Sequence, residues 1–440
     1  MQSRPFRELF SIPLRNGLTK PKAVRGAGVK MVNMGELFAN PRIVNVPMDR
    51  VPLSQTERNN SLLAAGDLLF ARQSLVLAGA GKCSIFVSDE EDVCFESHVI
   101  RCRLNRELAD PHFYFYFFNS PKGRRLIETI VEQGAGASGI RGSDLAELPV
   151  PWVSPTIQRR VAKILYKIDD MVAVNRSINQ TLETMVQAIF KSWFVDFEPV
   201  KAKLDAKLEG RDPLRAAMSA ISGKSDTELD LLGPEKFAQL ADVVALFPDE
   251  MEVVELRTIP KGWGVQRAGS VFELVYGKAL RSTDRQVGSV PVYGSGGVTG
   301  YHNVPLVQHG SVIVGRKGTV GSLYWEDEPF FPIDTTYYVR PIAAPLTFCY
   351  YAMQTLGLEK MNTDAAVPGL NRENVYRLEL VLPGPRILQE FESEVSTIRK
   401  AIRANSDANK MLNNLRESLV PKLLSGDLPV TELAIEAEYD

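Results

Sequence analysis

The sequence predicts an α+β protein: two similar α/β domains held apart by two long antiparallel coiled-coil helices, an internal repeat of pseudo-two-fold symmetry. Two observations carry this. Within residues 154–200, Val161, Leu165, Ile168, Val172, Asn175, Leu182, Met185 and Ile189 fall on one stripe at heptad spacing, the pattern of a coiled-coil helix and not of a strand. An offset of 230 residues, the difference between 405 and 175, then lays Phe391, Val395, Ile398, Ile402, Asn405, Leu412, Leu415 and Leu419 over the same eight positions. Even the polar intruder recurs, Asn175 answering Asn405. A single Asn in an apolar seam costs stability but fixes register. Eight matched positions at one constant offset mark a duplicated object.

Residues 1–153 form the first domain. Short β-type runs punctuate it: VKMVN from Val29, DLLFAR from Asp67 and SHVIRCRL from Ser97. Asp110-Pro111 then opens a helix, an N-cap acid followed by Pro at the first helical position. The FYFYFF run inside that helix reads as core packing in preference to a base-stacking platform. The first coiled-coil helix occupies residues 154–198. No Pro or Gly interrupts it between Thr156 and Phe197, Pro155 is tolerated at its start, and Pro199 is expected to end it. Residues 199–258 read as a linker with one or two weak helices, because GRDP, SGKSD, LLGPEK and LFPDE are turn or breaker signals. IPKGW opens the second domain, residues 259–385, and residues 386–440 are the second coiled-coil helix and a tail. The second domain repeats the first: GDLLFAR from Gly66 matches GSVIVGR from Gly310, Val99 aligns with Thr336, DPHFYFYFF answers APLTFCYYA, and GIRGSDLAELPV from Gly139 answers GLNRENVYRLEL from Gly369.

The composition is that of an ordinary soluble chain, with 45% hydrophobic and 24% charged residues in 440. Four cysteines without a CxxC pair and four scattered histidines suggest neither zinc nor a disulfide framework. MQSRPFRELF lacks a signal-peptide core, so a cytoplasmic protein without membrane contact is expected. The net charge of −2 hides an asymmetry. The first 42 residues carry eight basic groups against Glu8 and Glu36, whereas residues 225–255 carry nine acidic groups and Lys236 alone. Local patches, not the total, make an electrostatic footprint. Phosphate-loop readings of GKS at Gly223 and GAGKC at Gly79 fail for want of the first glycine. YGSGG from Tyr293 reads as a tight turn between strands. No nucleophile–His–acid set, NPPY-type segment or carboxylate pair with a lysine points to catalysis.

An antiparallel helix pair related by a two-fold axis brings Asn175 against Asn405, each satisfying the other's amide. Residues 157–191 span roughly 50 Å at about 1.5 Å per residue. That length suits two contacts on one DNA duplex, where adjacent half-sites lie about 34–36 Å apart.

VYGSGG, VIVGRKGTVG, PIDTTYYV, NRSINQTLETMVQAIFKSWFVDFEPV and LVPKLLSGDLPV closely resemble the specificity subunit of type I restriction–modification systems. The resemblance covers nearly the whole chain and is most specific from the first stalk through WFVDF. It implies two target-recognition domains that each read one half of a split asymmetric sequence, with the helices as a ruler for the spacer. It also implies a non-catalytic chain without cofactor, since S-adenosylmethionine and ATP belong to partner subunits. Double-stranded DNA, methylation subunits (two of them) and restriction subunits are the implied partners. Met1 to Phe10 departs from the pattern by lacking the PxGW opening present at Pro260–Trp263. The candidate DNA-binding residues are Arg72, Lys82, Arg141, Arg316, Lys317, Asn371 and Arg372, Arg and Lys suiting guanine edges or phosphates and Asn suiting adenine. The bland alternative is a solvated face, with Arg72 and Arg316 capping a turn. Phe190, Trp193, Phe194 and Phe197 exceed what one seam requires. Either they pack the helix end on its own domain or they dock a methylation subunit.

Overall fold

The computed structural model describes residues 2–134, 136–361 and 369–425. They fall into two compact units, one drawn from residues 2–175 and 407–425 and one from residues 176–406. Two long helices, Pro155–Phe194 and Pro385–Ser425, each contribute one half to either unit.

The first unit is built on a five-stranded sheet in the order Arg15–Asn16, Val99–Cys102, Leu68–Ala71, Cys83–Ser88, Arg42–Val44, antiparallel except for the last pair. Leu68–Ala71 is buried along its whole length, as a central strand covered on both faces must be. The helix Pro111–Asn119 covers the sheet. Asp110 caps it by accepting from the Phe113 amide at 3.0 Å, and all six residues of FYFYFF are buried. Phe118 packs edge-on against Phe70 and Phe6, both at 5.0 Å; the run is core. The buried Asp67 carboxylate accepts two 2.7 Å bonds from the Arg103 guanidinium. Gln2–Pro5 pairs antiparallel with Pro149–Trp152 and so closes the unit at the foot of the first long helix.

The second unit repeats this plan. Its four-stranded antiparallel sheet runs Phe272–Tyr276, Thr336–Pro341, Ser311–Gly315, Leu323–Glu326. This is the order of the first four strands above, element for element. The helix Leu346–Thr355 takes the place of the aromatic helix, and Gly264–Arg267 pairs with Glu379–Leu382 as Gln2–Pro5 does with Pro149–Trp152. The first unit therefore closes in the same way without PxGW. YGSGG connects the antiparallel strands Val290–Gly294 and Gly297–His302, the expected tight turn.

Residues 199–258 are not a linker. They hold the helices Glu198–Leu208, Pro213–Ser222, Asp226–Asp230 and Pro234–Ala245, and Ala217, Met218, Leu229 and Val244 from the last three are fully buried together. The breakers seen in the sequence are the caps of these helices: Asp212 accepts from the Leu214 amide at 2.9 Å, and Ser225 forms a capping box with Glu228. Many of the acidic groups thus sit on folded helices. Pro199 does not end the long helix either. The helix stops at Phe194, Phe197 turns the chain with φ +56°, and Pro199 lies in the first turn of the next helix.

Within each unit the long helices pair antiparallel. In the first, Asp169 meets Arg416 at 2.5 Å and Asn175 donates to the Asn409 side chain at 3.0 Å. In the second, Asn405 donates to Asn179 at 2.8 Å and Glu183 meets Arg399 at 3.3 Å. The expected Asn175–Asn405 bond is therefore not the one that forms. Each amide bonds to an asparagine one helical turn from the expected partner, and the two real pairs exchange under the same 230-residue offset. Val161, Leu165, Ile168, Val172, Phe391 and Val395 are buried; Leu182, Ile398, Ile402 and Leu412 are half-buried. Met185 and Leu415, one offset apart, are 49% and 46% exposed instead. A straight helix drifts from a strict heptad, and after Leu182 the buried line passes to Val186 and Phe190.

Phe190, Trp193, Phe194 and Phe197 belong to the core of the second unit, each less than a tenth exposed. Trp193 packs on Phe247 at 5.2 Å and Phe194 on Phe391 at 5.1 Å and Phe348 at 5.3 Å. The packing alternative accounts for them. They offer no exposed aromatic surface for a methylation subunit. Among the described residues no helix is long and apolar enough to cross a membrane, and no cluster of His, Cys, Asp or Glu is arranged to hold a metal.

Candidate nucleic-acid interface

The same junction is built twice. Arg72 follows the buried strand Leu68–Ala71, and Arg316 follows Ser311–Gly315. The Arg72 amide donates to His98 O at 2.7 Å, its guanidinium reaches Ser97 O at 3.4 Å, and its carbonyl accepts from the Ile140 amide at 2.9 Å. The Arg316 amide donates to Thr335 O at 2.9 Å, its guanidinium to Asp334 O at 3.0 Å, and its carbonyl accepts from the Leu370 amide at 2.8 Å. Each arginine thus caps a turn through one guanidinium nitrogen. Through these bonds the loop after the central strand is tied to the loop carrying Arg141 in one unit and Asn371-Arg372 in the other.

Around this frame the side chains differ. In the first unit an open cleft of about 440 Å³ is lined by Asn16, Arg72, Gln73, Gln133, Ser138 and Arg141, among others. One wall is a three-stranded ribbon of Glu132–Gln133, Ser138–Gly139 and Gln73–Ser74. Arg141, an exposed residue, pairs with Glu132 at 2.7 Å. Lys82 does not join the cleft. Its ammonium donates to Phe38 O at 2.9 Å, beside the Phe38 ring, where it stabilises the C-terminal end of the short helix Met34–Ala39.

In the second unit the junction is aromatic and basic. The Arg316 and Arg372 guanidiniums lie 4.9 Å and 5.0 Å from the centre of the Tyr276 ring, positions in which a cation is drawn to the ring face. Arg372 has a carboxylate neighbour in Glu373 at 3.4 Å. Lys317 is exposed, and its backbone is held by Thr335 O and a bridge to Gly369. Tyr337 completes the group, its hydroxyl donating to Leu370 O at 2.9 Å. Burial and then the neighbouring Tyr276 push its phenol up to about 12, so it stays neutral. Asn371 is committed to structure: its carbonyl oxygen accepts from the Glu373 amide at 2.8 Å and caps the helix Arg372–Tyr376. Arg141 stands at the corresponding cap without such a bond, which frees it for Glu132.

The structure thus brings Arg72 and Arg141 together in one unit, and Arg316, Lys317 and Arg372 in the other. Sequence reasoning missed Asn16, Gln73, Gln133 and Tyr276. Asn16 pairs with Ile100 and Tyr276 with Tyr337 on equivalent strands, so the first unit has an amide where the second has a ring. Gln73 carried a signal, its place beside Arg72. Chemically, planar guanidiniums can fork onto guanine edges or phosphates, and the amides can read adenine.

Comparison with known proteins agrees with this double frame. The family described as the type I restriction modification DNA specificity domain matches residues 1–184 and 260–403. The HindI type I restriction enzyme specificity subunit of Haemophilus influenzae is 27% identical over 400 residues, covering 82% of this chain and 86% of the relative. The MjaIX specificity subunit of Methanocaldococcus jannaschii is 22% identical over 324 residues, covering 73% and 70%. The crystal structure of a type I S subunit from M. genitalium shares the fold, with a TM-score of 0.53 at 16% identity over 96% of this chain and 95% of that one. The chain belongs to the specificity-subunit family of type I restriction–modification systems, with two recognition domains built on one repeated frame.

Proposed function

We propose that this chain reads a split, asymmetric DNA sequence, one half with each unit, and scaffolds methylation and restriction subunits without a catalytic centre or cofactor of its own. The observation that carries the reading is the arginine junction. Its backbone bonds are the same in both units, while the side chains it presents differ: amides and an Arg–Glu pair in one, a tyrosine with two arginines and a lysine in the other. A constant frame with divergent surroundings is what two readers of different half-sites require. Direct contacts come from Arg72, Gln73, Gln133 and Arg141 on one side and Arg316, Lys317 and Arg372 on the other. In this reading S-adenosylmethionine and ATP are bound by the partners.

Docking of methylation subunits falls to a second apolar line on the long helices, not to the buried aromatics. Met171 and Val174, with Met411 and Leu415, are exposed in the first unit; Ile178 and Met185 are exposed in the second. Their spacing follows the heptad, as a helix-on-helix contact needs. Each unit has its own such line, which supports two methylation subunits.

Sequencing of modified DNA from cells that express the chain with its partners gives the target directly. Replacing residues 1–153 by those of a relative should then change one half of that target and leave the other. An unchanged target would refute the assignment of reading to these units.

A further inference from the structure

We infer that the exposed tip Leu75-Val76-Leu77 of the first unit is an apolar wedge that enters the DNA stack beside the reading cleft; this rests on the DNA-reading function proposed above. The tip lies in the connection between the strands Leu68–Ala71 and Cys83–Ser88. Leu75 is 88% exposed, Val76 64% and Leu77 48%. A single exposed Leu is commonplace, but three consecutive ones held out together mark a contact surface.

The tip is held by hydrogen bonds on both of its sides. The Val76 amide donates to Ser74 Oγ at 3.2 Å, and Arg124 grips the far side by donating to Ala78 O at 2.9 Å and Ala80 O at 3.2 Å. Gly79 lets the loop close, since a Cβ there would stand 2.2 Å from Ser74 Oγ. Leu77–Gly79 forms one 3-10 turn. Folding of the unit therefore fixes the shape of the tip while leaving Leu75 88% exposed.

The corresponding connection in the second unit shows what a plain contact loop looks like. Between Ser311–Gly315 and Leu323–Glu326 the chain is shorter, and its exposed residues are Lys317, Gly318 and Thr319. Both connections leave the sheet at the same arginine junction. One offers a lysine to a phosphate, and the other offers three aliphatic side chains. Gln73 lines the cleft, and Leu75 follows within about 7 Å of chain. With Arg72 and Arg141 holding the backbone, the apolar surface within reach of the tip is the face of a base pair. Proteins that open a base step do so with such side chains, and the unstacked pair then packs against them.

The test uses the full chain assembled with its methylation subunits and duplexes of the mapped target, with 2-aminopurine at successive positions in the half read by the first unit. Binding should raise the fluorescence at one step. Leu75→Ser with Val76→Ser should abolish that rise and weaken binding about tenfold or more, the equivalent of losing one buried aliphatic side chain. The salt dependence of binding should stay unchanged, because no cation is removed. The wedge is overturned if the rise survives in the variant, or if no position responds in the wild type. It is also overturned if the variant no longer co-purifies with methylation subunits, which would make the tip a protein contact. Arg72→Ala with Arg141→Ala separates the two claims: should it leave DNA binding untouched, the reading function itself fails, whatever the tip does.

Discussion

Trp193 decides between two uses of the aromatic cluster. Its side chain is 3% exposed and stands against Phe247, Phe194 and Phe391 at ring distances of 5.2, 6.0 and 6.2 Å. Truncating a buried Trp to Ala costs about 3–5 kcal/mol through lost burial and the cavity left behind. A domain is stable by only about 5–15 kcal/mol, so Trp193→Ala should remove about a fifth or more of the stability of the second unit. Phe194→Ala should do nearly as much, since it packs on Phe348, Phe391 and Trp263. Because both residues lean on Phe391, the double variant falls short of the sum. Urea unfolding of the full chain followed by circular dichroism measures this, with co-purification of methylation subunits scored beside it. Partner loss should track unfolding. If Trp193→Ala unfolds at the wild-type midpoint yet fails to bind a methylation subunit, the residue is a docking group and the core assignment is refuted.

Three further outcomes follow from the same geometry. Met411→Glu with Leu415→Glu should prevent co-purification with a methylation subunit while leaving the unfolding midpoint in place, because both side chains are exposed; a retained complex would remove the second apolar line from the interface. Arg372→Ala should lower the slope of log affinity against log salt by about one if the group holds a phosphate, and Tyr276→Ala should weaken binding in the same direction by freeing both guanidiniums. An unaltered slope with relaxed preference at one base would place Arg372 on a base edge instead. Asn179→Leu alone strips Asn405 of its acceptor and should cost about 1–3 kcal/mol, whereas Asn179→Leu with Asn405→Leu should recover most of it; additive effects in urea unfolding would show that the two amides are not coupled.

The duplication was legible because the seam repeats at one offset and a heptad is a property of spacing alone. Asp110-Pro111 and FYFYFF were legible for a similar reason: a cap and a run of six aromatic residues leave few alternatives to a buried helix. What escaped depends on contacts that spacing does not encode. The asparagine pairing is displaced by one turn because the facing register of two helices is set by all their side chains, and the sequence match fixes only which residues are equivalent. Residues 199–258 looked like a linker because the signals that end one helix, Asp212 and Ser225 among them, also begin the next. Lys82 and Asn371 carry the right chemistry for DNA, yet a carbonyl at Phe38 and an amide at Glu373 already engage them. Asn16 and Tyr276 were invisible because equivalence between a two-residue strand and a five-residue one appears only through the register of their shared neighbour strands.

The polar pairs of the seam bear on function through that register. Asn175 faces Asn409, and Asn405 faces Asn179. Slipping the first pair by one heptad would set Asn175 against Ile402 or Arg416. An amide stripped of its partner in an apolar seam costs about 1–3 kcal/mol, and an all-aliphatic seam would resist the same slip far less. Asn179 raises the barrier further, since it also donates to Ile402 O and Ser406 Oγ at 3.1 Å each. A protein that only needed its helices to adhere would do better with leucine at all four positions. One that reads sequence at defined positions must hold its helices in a single register, and four asparagines accept a loss of stability to secure it.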